Sequence, residues 1–419
     1  MKISAQTERS LLPSHRTCHR HVRVAIEAPE APARGQRPPV NVAFVLDRSG
    51  SMGGGKFRLA QAAVEQAIAR LDARDRFAVV VFDSELDLVF PSRPATGGAR
   101  QEAVAALSRY RPRGSTDLGG GWLMGCGQVA EHLAAEAVGR CMLLTDGQAN
   151  VGIVDPETLC HHARELRGRG VSTSTFGVGQ DFYEHMLGPM ADAGGGAFQY
   201  IESAEEIPRI MDRELGETLE VVARRVVLEL SLPAGVTITA LGPYDVELGP
   251  GLARVGLPDL VSAQLFELPI KLGLPAGPNG EDLRIGLRLL DAEGVLAGLE
   301  ARLDFTWVSG EAAKAQPRDV AVDRFVAERY AARAMQEASR RNREGDYKGA
   351  AAAIEGVARR VRGYAGQDGQ LQGVVQKLEE EAEAYRAPVT ESKRKSDYAR
   401  TQAATSSRDV TGQRQRWKS

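Results

Sequence analysis

Val42-Ala43-Phe44-Val45-Leu46-Asp47-Arg48-Ser49-Gly50-Ser51 decides how this chain is read. Five apolar residues run unbroken into a carboxylate and then a Ser/Gly turn. That is the pattern of a strand buried on both faces that stops at a polar loop. A second stretch, Cys141-Met142-Leu143-Leu144-Thr145-Asp146-Gly147, has the same form. Helical periodicity follows each one. After the first, residues 57–71 place Leu59, Ala63, Ala67 and Leu71 on one face. Polar loops at the carboxyl ends of parallel strands are where open α/β sheets hold ligands.

Outward from these two stretches, strands and helices alternate. Strands are expected at 40–47, 76–82, 86–90, 140–145, 171–178 and 197–201. Helices are expected at 57–71, 101–107, 118–133, 156–169, 182–193 and 204–219, with Pro156 in a first turn and Gly170 closing the same helix. A βα series over 40–219 predicts an α/β domain with a mostly parallel sheet covered on both faces. On either side the pattern changes. Residues 1–39 hold one or two strands, with period-two alternation over 21–27, and then a Pro-rich linker at 29–39. Residues 220–309 alternate again, at 226–232, 236–239, 265–268, 283–289 and 301–307, which predicts an antiparallel β-sandwich. The N-terminal strand has no partner in the α/β series and is assigned to the sandwich, making the α/β domain an insertion. Residues 318–386 are helical, with a hairpin turn at Glu344-Gly345-Asp346 and a third helix at 371–385. The last segment, 387–419, loses periodicity, and its Lys and Arg outnumber its Asp and Glu. It reads as a disordered basic tail.

Composition narrows the function classes. A chain of 419 residues is too long for one ordinary core, so two or three domains are expected. Aromatic content of 5% speaks against a base-stacking nucleic-acid binder, and a net charge of -2 implies no global electrostatic partner. The first ten residues lack the apolar core of a secretory signal, and no uncharged apolar run approaches the roughly 18 residues of a membrane span. The expectation is a cytoplasmic protein without membrane insertion. Cys18, Cys126, Cys141 and Cys160 form no C-x-x-C pair, and Cys141 reads as a small core residue. Cys18 with His19 and His21 reads as surface, so no zinc site is expected.

Three separated segments carry the candidate chemistry: Asp47, Ser49 and Ser51 in the first loop, Thr116 in Thr116-Asp117, and Asp146 in Asp146-Gly147. All are hard oxygen donors, which suits Mg²⁺, with Mn²⁺ or Ca²⁺ as alternatives. Five protein groups leave one position of an octahedral shell for an outside ligand. The hydroxyls are neutral, so the ion stays electrophilic there, and an Asp or Glu from a partner protein is the natural sixth ligand.

This set, Asp-x-Ser-x-Ser at 47–51 with Thr116-Asp117 and Asp146-Gly147, resembles the metal-ion-dependent adhesion site of von Willebrand factor type A domains, and the resemblance extends over residues 40–217. It implies a Rossmann-like fold and cation-dependent, non-enzymatic protein binding. With the sandwich, the whole resembles bacterial cytoplasmic members of that family. It does not bear on residues 318–419, the partner's identity or the oligomeric state.

Three other readings compete for the same residues. Gly50 with Gly55-Lys56 fits G-x-x-x-x-G-K, a phosphate-binding loop, but Phe57 stands where a Ser or Thr should contact the ion. A Mg²⁺-dependent hydrolase lacks a second carboxylate cluster and a basic clamp. His161 and His162, adjacent on a helix, face different ways, and Ser174 has no evident base. A structural scaffold, whose metal only ties loops together, is the third. Gly53-Gly54-Gly55 and Gly119-Gly120-Gly121 read as flexible lips beside the ion.

Overall fold

The computed structural model describes residues 2–31, 37–409 and 412–417, so part of the expected linker, 32–36, lies outside the described residues. The chain divides into two units: residues 31–221, and residues 1–30 together with 222–419.

Residues 31–221 are the α/β unit. Its strands are β1 (Val40–Asp47), β2 (Arg76–Phe82), β3 (Leu86–Pro94), β4 (Val138–Thr145), β5 (Val171–Val178) and β6 (Gly195–Ile201). Its helices are α1 (Lys56–Arg70), α2 (Gly97–Leu107), α3 (Leu118–Glu131), α4 (Pro156–Gly168), α5 (Glu184–Ala193) and α6 (Ile207–Leu219). The sheet order is β3-β2-β1-β4-β5-β6. All neighbours are parallel except β2 and β3, which are antiparallel. Every residue of β1, β4 and β5 is buried; β1 and β4 accordingly read as mostly apolar runs rather than alternating ones, whereas β5 carries Ser172, Thr173, Ser174 and Thr175 at buried positions.

From β1 the chain steps to β2 and β3 on one side, then returns to β4, β5 and β6 on the other. The strand order therefore reverses between β1 and β4, and a crevice opens at their carboxyl ends. Asp47 is the last residue of β1, and Asp146 follows the last residue of β4.

Glycine fixes how α3 meets the sheet. A Cβ on Gly121 would lie 2.5 Å from Phe82 Cγ, and one on Gly125 would lie 2.3 Å from Val45 Cγ2. The run 119–121 is thus the first turn of a closely packed helix, not the flexible lip expected from its composition. Gly54 and Gly55 differ: both have positive φ (63° and 102°), and a Cβ there would meet nothing within 4 Å. They turn the chain from the loop into α1.

In the other unit, Lys2–Thr7, Cys18–Glu27, Leu265–Leu274 and Thr237–Ala240 form one sheet in that order. The second sheet runs Val246–Gly249, Leu252–Gly256, Val227–Ser231, Asp282–Leu290, Glu300–Val308 and Leu11–Pro13. Pairing is antiparallel throughout, apart from the last pair, which is parallel. Asp282–Leu290 alternates buried and exposed residue by residue, and the inner faces of both sheets share one apolar core that includes Val24, Phe266, Leu268, Ile285 and Phe305.

The helices Val320–Arg343, Tyr347–Ala365 and Gly369–Ala384 follow. The expectation of a disordered tail at 387–419 fails for the described residues; 410, 411, 418 and 419 lie outside them. Glu391–Thr405 is a helix capped by the Thr390 hydroxyl, and Tyr398, Thr401 and Gln402 are buried in it. Its basic residues are matched by specific acids: Lys393 bonds Glu381 at 2.8 Å and Asp397 at 3.0 Å, and Arg400 bonds Asp397 at 2.9 Å. Beyond it, the Trp417 indole N–H donates to the Ala28 carbonyl at 2.9 Å. Net composition missed this because most of the neutralising partners lie elsewhere in the fold or one helical turn away.

Candidate metal centre

Asp47 reaches the crevice because β1 ends there, with Arg48 N–H bonded to the Phe82 carbonyl of β2 at 2.8 Å. The chain then makes a single 3₁₀ turn, Gly50–Met52. This turn brings Ser51 back toward β4. Ser49 N–H donates to Asp47 Oδ1 at 2.7 Å, the Ser49 and Ser51 hydroxyl oxygens are 3.0 Å apart, and Ser51 Oγ donates to Asp146 Oδ1 at 2.6 Å. Asp47, Ser49 and Asp146 are buried, while Ser51 is exposed.

Thr116 arrives from a third loop that is stitched to both others. Gly50 N–H donates to the Gly114 carbonyl at 3.1 Å, and Arg113 N–H donates to the Arg48 carbonyl at 2.7 Å. On the other side, Thr116 N–H donates to Asn150 Oδ1 at 2.9 Å, and Asn150 N–H returns a bond to the Thr116 carbonyl at 3.1 Å. The buried carboxylate of Asp83 anchors the same rim through Arg48 at 3.0 Å and Arg113 at 2.9 Å.

Gly147 shows where these loops converge. A Cβ built on it would lie 3.4 Å from Thr116 Oγ1, 3.7 Å from Ser51 Oγ and 3.9 Å from Asp47 Oδ2. Three oxygens from three loops thus surround one small volume, and hydrogen bonding ties Ser49 and Asp146 to the same group. Asp117, although adjacent in sequence, does not join them; it caps α3 by accepting from Gly120 N–H at 2.9 Å.

The donor set fits a divalent cation electrostatically. Burial pushes the Asp47 carboxyl up to about 6, against hydrogen bonds from Thr145 and Ser49 that pull it down, and the neighbouring Asp146 charge adds to the rise. A cation held among these oxygens would relieve that cost. Among the described residues no group of three or more His, Cys, Asp and Glu side chains is placed to hold a metal. An ion in this crevice would therefore lean on hydroxyls, the donor class of hard cations. Mg²⁺ would be held by Asp47, Ser49, Ser51, Thr116 and Asp146.

Three side chains contribute that sequence reading did not assign to the site. Thr145 Oγ1 donates to Asp47 Oδ2 at 2.5 Å, and the hydroxyl also accepts from Gly147 N–H at 3.2 Å. Asn150 clamps Thr116. Lys56, weighed only as a phosphate-loop lysine, donates to Asp146 Oδ2 at 2.5 Å. Phe57, the residue that spoke against that loop, is buried. A polar residue immediately before a strand-end Asp was the one available signal for Thr145.

The rim around the crevice is partly apolar. Val151 and Val154, on the loop after Asp146, are 36% and 50% exposed. A cleft of about 580 Å³ begins at Met52 and Gly53, immediately after Ser51, and has Leu107 on its wall with Arg58 and Arg111 beside it.

Residues 41–213 match the family model of the von Willebrand factor type A domain. A protein of Escherichia coli (strain K12) named Uncharacterized protein YfbK is 32% identical over 203 residues, which is 48% of this chain and 35% of that protein. Human inter-alpha-trypsin inhibitor heavy chain H4 is 30% identical over 181 residues, 42% of this chain and 20% of that protein. The chain thus spans well under half the length of these relatives. Among solved structures, a von Willebrand factor type A protein from Catenulispora acidiphila superposes with a TM-score of 0.69 at 20% identity, over 92% of this chain and 89% of that one. The ArnB paralog VWA2 from Sulfolobus acidocaldarius gives 0.60 at 13% identity, over 96% and 97%. The fold is shared along nearly the whole chain.

Proposed function

With residues 41–213 forming a von Willebrand factor type A domain, we propose that this chain is a non-enzymatic, metal-dependent protein-interaction module. Asp47, Ser49, Ser51, Thr116 and Asp146 hold Mg²⁺, and an Asp or Glu of a partner protein supplies the remaining ligand. The observation that carries this reading is the meeting of oxygens from three loops around Gly147, beside two buried carboxylates at the point where the strand order reverses. Mg²⁺ supplies a positive centre with a ligand position open to an outside carboxylate. The chain's own part is to fix five oxygens, exclude water from the inner side, and present an apolar rim.

A loop-tying metal is the rival reading. The rim is already stitched without an ion by the Thr145–Asp47, Asn150–Thr116 and Gly50–Gly114 bonds. That favours an ion whose main effect is on binding. The exposed Val151 and Val154 favour a protein surface as the partner.

Pull-down from cell lysate on immobilised full-length chain tests the proposal. Samples with Mg²⁺, with chelator, and with Asp47→Ala in Mg²⁺ are compared. Proteins recovered only by the wild type with Mg²⁺ are expected. Recovery that is identical in all three sinks the interaction reading.

A further inference from the structure

Asp146 has two carboxylate oxygens, and both are engaged. Oδ1 accepts from Ser51 Oγ at 2.6 Å, and Oδ2 accepts from Lys56 Nζ at 2.5 Å. Lys56 is the first residue of α1, placed there by the two positive-φ glycines before it. Its ammonium also donates to the Ser51 carbonyl at 3.3 Å, and it sits 3.9 Å from the position of a Cβ on Gly179, beyond the end of β5. Its place at the start of α1 and its bond to the Ser51 carbonyl hold this charge against one oxygen of one proposed ligand. Asp146 is fully buried and Lys56 is 29% exposed, so the contact lies at the edge of the crevice, where solvent screens it incompletely.

We propose that Lys56 determines which divalent cation the site takes, by keeping the second oxygen of Asp146 from the metal and so favouring Mg²⁺ over Ca²⁺. This rests on the metal-centre reading above. Mg²⁺ is small and takes about six single oxygens near 2.1 Å, whereas Ca²⁺ takes six to eight at longer distance and often binds a carboxylate through both oxygens. Bidentate binding by Asp146 would set a dication beside the ammonium. One-oxygen or water-mediated contact avoids that clash. Of the two carboxylates, Asp47 already spends Oδ1 on Ser49 N–H and Oδ2 on Thr145. Asp146 Oδ2 is therefore the oxygen whose release would enlarge the shell, and Lys56 holds it. Removing the ammonium should loosen binding of no cation; it should help Ca²⁺ most, because Ca²⁺ gains a ligand as well as losing a repulsion.

Calorimetric titration of the full chain with MgCl₂ and with CaCl₂ tests this, using wild type, Lys56→Met and Lys56→Arg. Wild type is expected to prefer Mg²⁺. In Lys56→Met both affinities should rise, with Ca²⁺ gaining roughly tenfold more than Mg²⁺. Lys56→Arg, which keeps a cation at Asp146, should retain the Mg²⁺ preference. Equal gains for both ions would show that Lys56 acts through charge alone and overturn the selectivity claim. Losses for both ions would make Lys56 a support for Asp146 and overturn it too, and a melting curve on the same samples separates this from misfolding. A wild type that binds neither ion overturns the metal-centre reading itself, and with it this inference.

Discussion

Replacing Asp47 by Asn should make the metal-free protein more stable at neutral pH while abolishing its response to Mg²⁺. Burial lifts the Asp47 carboxyl from 3.8 to about 6. In the folded state the charged form is therefore disfavoured relative to the unfolded chain. The penalty is absent below about pH 4, grows as pH rises toward 6, and is constant above; at full extent it amounts to roughly 3 kcal/mol. Asn removes the charge and keeps the shape. Its carbonyl oxygen can still accept from Ser49 N–H, and its amide can donate to the Thr145 hydroxyl that now donates to Asp47 Oδ2. That penalty is already net of the hydrogen bonds that pull the carboxyl down, so the expected gain is up to about 3 kcal/mol. Urea unfolding in chelator at pH 7.5 should show that gain, and at pH 4 it should vanish or reverse. With Mg²⁺ at a hundred times its dissociation constant, the wild type should gain about 2.7 kcal/mol and the variant nothing. The reasoning is refuted if Asp47→Asn is less stable than wild type in chelator at pH 7.5, or if Mg²⁺ stabilises the two alike.

Mg²⁺ affinity should fall about tenfold per pH unit below 6, where one proton must leave Asp47, and should flatten above it; titrations at pH 5, 6 and 7.5 check this. Gly125→Ala should lower stability by roughly 1–3 kcal/mol, since its Cβ would meet Val45 Cγ2 at 2.3 Å, although alanine favours helix; an equal or higher melting temperature would show that α3 can move off the sheet. Deleting the segment from residue 387 onward should uncover the face of Val320–Arg343 against which Glu391–Thr405 packs and lower the melting temperature, whereas deletion of a disordered tail would leave it unchanged.

Much of the site was legible because each segment carries a local signature. Asp47 and Asp146 each follow an apolar run, and Ser49 and Ser51 sit at alternate places in a Gly-containing turn. Thr145, Asn150 and Lys56 were not legible as site residues, because their roles are contacts across 98, 34 and 90 positions of chain. Gly119-Gly120-Gly121 misled in the opposite direction. A glycine-rich run reads as freedom, and only the distance to Phe82 shows that it is a demand for close packing. The composition of 387–419 reads as an unstructured basic tail, because partners such as Glu381 and Tyr385, which engage Lys393 and Asp397, lie before that segment.

By itself the sequence determined the alternation of strands and helices, the change of pattern on either side of it, and the chemical type of the donors, since burial on one or two faces and the preference of loops for Ser, Gly and Asp are written residue by residue. Only the tertiary structure decided that β1 lies between β2 and β4, that three loops meet around Gly147, and that Lys56 engages Asp146. Strand order and cross-loop contacts depend on how distant segments pack, and no local pattern encodes a distance between residues ninety positions apart.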